Sequence, residues 1–154
     1  MPLTDILVPE AVLPQLKASS KKQLLRELAD HAGDVLHLDS RSIYEALLQR
    51  ERLGSTGIGK GIAIPHGKFN DLPSLCGLFA RLEKPLDFEA LDQEPVDLVF
   101  LLLAPENAGA DHLKALAKIA RVLRDPATVQ ALRQSRDPDA LYALLTRSPN
   151  SHAA

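Results

Sequence analysis

The segment from Val96 to Leu103, Val-Asp-Leu-Val-Phe-Leu-Leu-Leu, is the strongest constraint on how this chain can fold. Successive side chains of a strand point to opposite faces, so a strand with one wet face alternates polar and apolar residues. A run interrupted only by Asp97 has no wet face, and it needs cover on both sides. Helices must supply that cover, which makes the expected fold a three-layer α/β sandwich.

The flanking sequence supplies those helices. Leu24, Leu25, Leu28 and Ala29 recur at helical spacing over residues 21–31, behind Ser19 and Ser20 as caps and before Gly33 as a stop. Asp39 and Ser40 open a second helix through Leu53, with Ile43, Ala46, Leu47 and Leu53 on its apolar side and Gly54 ending it. A third is expected over 111–124, with Asp111 as its cap and Leu113, Leu116, Ala117, Ala120 and Leu123 along one side. Two more follow at 126–134 and 138–146, each with proline in the first turn, where its missing N–H does no harm. Strands are expected at 62–64, 75–82 and 96–103. The link 83–94 is too short to carry a crossover helix, so the sheet should be mixed, flanked by helices on both faces. Residues 1–147 read as one domain and 148–154 as a disordered tail.

Composition narrows the function. With 154 residues, 18 Lys plus Arg and 20 Asp plus Glu, the net charge is −2, which argues against bulk electrostatic binding of nucleic acid or an anionic membrane. The single cysteine, Cys76, excludes a disulfide framework and a multi-thiolate metal site. The chain shows neither a secretory signal nor an apolar stretch of the roughly 20 residues that span a bilayer, so a cytoplasmic location is expected.

Residues 54–61, Gly-Ser-Thr-Gly-Ile-Gly-Lys-Gly, hold four glycines in eight positions. Gly54 and Gly59-Lys60 match the start of a nucleotide-binding G-x-x-x-x-G-K-[ST] loop, but Gly61 stands where a hydroxyl would hold Mg²⁺. The context also fails, because the run follows a helix and leads into Ile62-Ala63-Ile64-Pro65. His66 then stands where that strand should stop, between Pro65, which fixes its own φ, and Gly67, which permits backbone shapes closed to other residues. Such an imidazole is either a packed residue or a positioned nucleophile, since a neutral ring is nucleophilic near its ordinary pKa of about 6.5. His112, in the first turn behind Asp111, is either a surface residue or part of an anion site at a helix N-terminus. His31 and His37 read as structural or surface residues near a helix end, and His152 lies in the tail. No H-E-x-x-H and no G-x-S-x-G occurs, so zinc and serine-hydrolase chemistry have no local support.

Residues 50–68, Arg-Glu-Arg-Leu-Gly-Ser-Thr-Gly-Ile-Gly-Lys-Gly-Ile-Ala-Ile-Pro-His-Gly-Lys, together resemble the active-site signature of the IIA components of the phosphoenolpyruvate-dependent phosphotransferase system. The resemblance is to the fructose/mannitol class and, within it, to the nitrogen-related regulatory branch. Pro85-Leu86-Asp87-Phe88, the stretch from Pro95 to Phe100, and Asp111-His112-Leu113 resemble the family in order and spacing, and the likeness extends to Thr146. It implies that His66 accepts a phosphoryl group from a histidine of a small HPr/NPr-like carrier. It places Arg50 and His112 in the site, with Ser55, Thr56 and Gly67 lining it. Lys60 departs from the small polar residue many relatives carry, and adds a positive charge. The resemblance implies no metal and no nucleotide cofactor, because the donor is itself a phosphohistidine. Two family readings follow: a phosphocarrier that regulates partners through its phosphorylation state, or a sugar-specific IIA that passes phosphate to a separate IIB. An interaction module that has lost phosphorylation is a third, disfavoured by the presence of Arg50, His66 and His112 together.

Overall fold

In the computed structural model, which describes residues 2–147, the apolar run becomes strand β6 (Val96–Pro105). Every residue from Leu98 to Ala104 is buried, so both faces of the strand are covered. On one side β6 pairs antiparallel with β5 (Cys76–Leu86), and β5 in turn pairs in parallel with β1 (Val12–Leu16). On its other side β6 takes β3 (Ile62–Ala63) and β4 (His66–Phe69), both in parallel. Strand β2 (Gly57–Gly59) ends the sheet, antiparallel to β3. The sheet is therefore mixed, as the short link between β5 and β6 required.

Helices α1 (Lys21–Leu36) and α2 (Ser40–Arg52) pack on each other, and α3 (Ala110–Arg124), α4 (Pro126–Gln134) and α5 (Pro138–Thr146) pack in series. Leu24, Leu25 and Leu28 of α1, Ile43 and Leu47 of α2, and Ile119, Leu123, Leu132, Leu141 and Leu145 of the later helices meet the sheet in one continuous core. Burying each such side chain stabilises the fold by about 1.5–3 kcal/mol, which offsets the entropy of ordering the chain. The α/β fold expected from the sequence is the one observed. Ser20, Asp39, Asp125 and Asp137 cap their helices by accepting from backbone N–H groups, and Pro126 and Pro138 stand in first turns.

Several local expectations are corrected. Gly33 does not stop α1, which runs to Leu36 and is closed by His37 in the left-handed conformation at φ 58°. Gly33 is instead a point of close approach: a Cβ there would lie 3.0 Å from the Leu38 carbonyl and 3.1 Å from the Ser40 Cβ. Leu53 follows α2 and is 84 % exposed rather than apolar-facing, because the chain leaves the helix there. Gly109, not Asp111, caps α3, and the buried face of that helix runs through His112, Ala115, Ile119 and Leu123. Leu113 is consequently 69 % exposed. Strand β1 carries no alternating pattern and contains Pro14, which an edge strand tolerates because its N–H need not enter a ladder. The tail at 148–154, with His152, lies outside the described residues.

Candidate functional site

The glycine-rich run is neither a flexible connection nor a phosphate loop. It folds as the β2–β3 hairpin, turning at Lys60 and Gly61 with φ values of 58° and 84°. Positive φ at both central residues matches the right-handed twist of the flanking strands. The turn is clamped from two sides. Asp92 accepts from the Lys60 N–H at 2.8 Å, and Arg133 donates to the Lys60 carbonyl at 2.7 Å while holding Asp97 through two nitrogens.

This hairpin delivers the chain to His66. The pairing of β3 with β6 (Ile62 opposite Leu98) resumes in the same register in β4 (His66 opposite Leu102), interrupted only at Ile64 and Pro65. His66 thus opens a second strand rather than ending the first. Pro65 has no N–H to offer a ladder, and its carbonyl accepts from Leu102 at 2.9 Å. Gly67 is an ordinary strand residue opposite Leu103, and its conformational freedom is not used. A Cβ there would meet the Phe69 ring and the Ala46 methyl at 3.4 and 3.6 Å, ordinary van der Waals distances.

Two hydrogen bonds fix the half-buried His66 ring. Nδ1 lies 2.9 Å from the Ile64 carbonyl, which can only accept, so Nδ1 carries the proton and Nε2 keeps its lone pair. Arg50 Nε, in the last turn of α2, donates to that Nε2 at 3.3 Å, and Arg50 Nη1 donates to the Gly54 carbonyl at 3.0 Å. The His112 ring stands edge-on to His66, with centroids 5.4 Å apart and planes at 72°. The fold therefore brings Arg50, His66 and His112 together from α2, β4 and the first turn of α3.

The electrostatics favour neutral rings. Burial holds the His66 pKa below its ordinary value and the Arg50 cation adds to that, while the Ile64 hydrogen bond and the Glu51 carboxylate pull the other way. His112 is also held low, first by burial and then by the charges of His66 and Lys68. Lys68 lies two residues beyond His66, on the same face of β4. His112 is only 7 % exposed, and its Nε2 has no hydrogen-bond partner among the described residues. The first turn of α3 is a poorer anion site than its position suggests, because the N–H groups of Asp111 and His112 are bonded to the Ala108 and Gly109 carbonyls.

Ser55 and Thr56 are committed elsewhere. Ser55 Oγ donates to the Phe88 carbonyl and accepts from Gly57, and the Thr56 N–H and hydroxyl both bond the Glu51 carboxylate. These bonds anchor the glycine segment to Glu51 and to the Phe88 carbonyl. Sequence reasoning overlooked Glu51 and its partner Lys21, whose Nζ lies 3.0 Å from Glu51 Oε1. An acidic residue beside Arg50 at the end of a helix was the available signal.

Comparison with known proteins adds to this geometry. Residues 5–148 match the family described as "Phosphoenolpyruvate-dependent sugar phosphotransferase system, EIIA 2". The chain is 58 % identical to a nitrogen regulatory protein of Bradyrhizobium diazoefficiens, over 99 % of this chain and 100 % of that one. It is 39 % identical to the nitrogen regulatory protein of Escherichia coli, over 94 % of this chain and 89 % of that one. Among solved structures, nitrogen regulatory protein IIA-Ntr of Neisseria meningitidis superposes with a TM-score of 0.88 at 35 % identity, covering 94 % of this chain and 99 % of the other. IIA mannitol of Escherichia coli shares the fold, with a TM-score of 0.77 at 22 % identity over 90 % of this chain and 97 % of that one. With a matching profile across nearly its whole length and an imidazole, a guanidinium and a second imidazole gathered at one sheet edge, the chain belongs to the EIIA 2 family of the phosphoenolpyruvate-dependent phosphotransferase system.

Proposed function

We propose that this chain is a phosphocarrier of the nitrogen-related phosphotransferase system, which accepts a phosphoryl group on His66 from an HPr/NPr-like phosphohistidine carrier and regulates partners through its phosphorylation state. One observation carries the chemistry: the proton of His66 is tied to the Ile64 carbonyl through Nδ1, which leaves the lone pair on Nε2, where it accepts from Arg50. The regulatory reading draws on the likeness to nitrogen regulatory proteins over nearly their full length.

In the transfer, the Nε2 lone pair forms a new P–N bond as the P–N bond to the donor imidazole breaks. The electron pair of the broken bond returns to the donor nitrogen, and the donor ring, protonated on its other nitrogen, leaves as neutral imidazole. His66 keeps its Nδ1 proton against the Ile64 carbonyl, so the phosphorylated ring is a cation stabilised by that carbonyl. Phosphoryl transfer asks the protein mainly for in-line positioning and positive charge at the transferring oxygens. Arg50 turns its guanidinium from the lone pair to those oxygens, and its planar fork suits them. His112 buttresses the His66 ring by its edge and brings a second imidazole to the oxygens.

Intact-mass analysis after incubation with phosphoenolpyruvate, its phosphotransferase and a purified carrier tests this reading. One acid-labile phosphoryl group is expected, and none in His66→Ala. An adduct that persists in that variant, or that survives acid, refutes the assignment. Transfer onward to a sugar-specific IIB with turnover would favour the transport reading.

A further inference from the structure

The Nδ1 hydrogen bond decides which nitrogen of His66 is nucleophilic, so the Ile64 carbonyl must itself be held. Ile64 lies in the break between β3 and β4, outside both strands. Its N–H is bonded instead to the Thr56 carbonyl at 3.0 Å. Thr56 is buried and is gripped from the other side by Glu51: its N–H reaches Oε1 at 3.0 Å and its hydroxyl donates to Oε2. Lys21 Nζ completes the Glu51 carboxylate at 3.0 Å and lies over the Phe88 ring, 4.6 Å from its centroid.

The path closes on itself. Arg50 and Glu51 are neighbours at the end of α2, and each reaches His66 by a different route. Arg50 bonds Nε2 directly, whereas Glu51 acts on Nδ1 through Thr56 and Ile64. Burying a carboxylate and an ammonium costs free energy that an apolar pair of similar volume would avoid. A fully bonded polar network fixes direction as well as position, which an apolar pair would not.

We propose that Thr56, held by the buried Glu51 and its partner Lys21, is a positioning residue that fixes the tautomer of His66 and so selects Nε2 as the acceptor nitrogen. Acceptance at His66 rests on the function proposed above, but the tautomer does not. The Glu51 charge also raises the proton affinity of His66, which places it within electrostatic reach of the ring.

The test uses the whole chain with ¹⁵N-labelled histidine, at a pH where the imidazoles are neutral. In the wild type, ¹⁵N–¹H correlations should show His66 protonated at Nδ1 and bare at Nε2. Thr56→Val keeps the volume and removes the hydroxyl donor. It should give a mixture of His66 tautomers and slow phosphoryl uptake by about ten- to a hundredfold, as misplacement of a reacting group does. Thr56→Ser restores the hydroxyl and should match the wild type in both readouts. If Thr56→Val does not fold, Thr56→Ala gives the same reading, because it also removes the hydroxyl that donates to Glu51. A wild-type tautomer in the folded variant overturns the proposal, whether or not melting temperature or uptake falls. So does a shifted tautomer with undiminished uptake. Phosphorylation of His66→Ala would refute the acceptor assignment instead, and would leave the tautomer result standing.

Discussion

Replacing Arg50 by alanine removes two hydrogen bonds of different kinds. The bond from Nη1 to the Gly54 carbonyl is exposed, and its loss should cost stability no more than about 0.5–1.5 kcal/mol. In the proposed transfer the Arg50 donor that now bonds His66 Nε2 meets the phosphoryl oxygens instead, where a bond from a charged donor contributes about 1.5–3 kcal/mol. At about 1.4 kcal/mol per tenfold, uptake should slow by about 10- to 150-fold. Arg50→Lys should recover only part of this, since one ammonium cannot hold Gly54 and meet the transferring group at once. The same cation helps hold His66 neutral, so its removal should also move the acid limb of the rate profile to higher pH. Rapid-quench uptake from the phosphorylated carrier, across a pH series and alongside urea melts, measures all three effects. Wild-type uptake in Arg50→Ala would refute the role, and so would a rate loss fully explained by unfolding.

Stability itself should fall in mild acid. His66 and His112 both have folded pKa values below the ordinary value of about 6.5, so the unfolded chain binds protons first; the stabilisation is complete above that value and is lost as pH falls through the folded values. A urea midpoint that stays constant from about pH 7.5 to 5 would contradict this. Gly61→Ala should cost about 1–3 kcal/mol in urea unfolding, because φ is 84° and the new Cβ would sit 2.3 Å from Arg133 Nη2; a cost under about 0.5 kcal/mol would show that the clamp yields freely. His112→Ala should still take up phosphate, but more slowly, or should fail to hand it on, and wild-type kinetics in both directions would dismiss its role. His112→Phe should keep the edge contact at little cost in stability, since the lost Nε2 had no partner, as thermal melts can check.

The sequence made the core legible because long apolar elements announce themselves: the β6 run, the α1 leucines and the proline-led α4 and α5 all stand where periodicity and capping put them. Shorter pieces escaped. Val12-Leu13-Pro14-Gln15-Leu16 and His66-Gly67-Lys68-Phe69 become strands because β5 and β6 offer edges, and no local pattern records that offer. The face of α3 was misjudged because His112 counts as polar, yet it is buried where its ring meets His66. The chemistry divides in the same way. Arg50 and His66 share one continuous motif, whereas His112 stands apart from it and enters the site only through the family resemblance. Thr56 looked like a ligand for phosphate, whereas its partners are Glu51 and, through that carboxylate, a lysine on another helix. A hydroxyl in a glycine-rich run carries no mark of which way it faces.

The mixed sheet also sets an order in which the chain can acquire its working form. Strands β5 and β6 are near neighbours along the chain, and their antiparallel pairing closes a short loop. Strands β3 and β4 join β6 in parallel, and contacts of that kind are entropically costly and form slowly. On the ribosome, Arg50 and His66 emerge before the strand that must hold them, and His112 emerges after it. Until Leu102 is available to pair, the His66 backbone lacks its strand partner, and so does the Pro65 carbonyl. Competence to take up a phosphoryl group should therefore arise late in folding, and nascent chains should stay silent to the carrier.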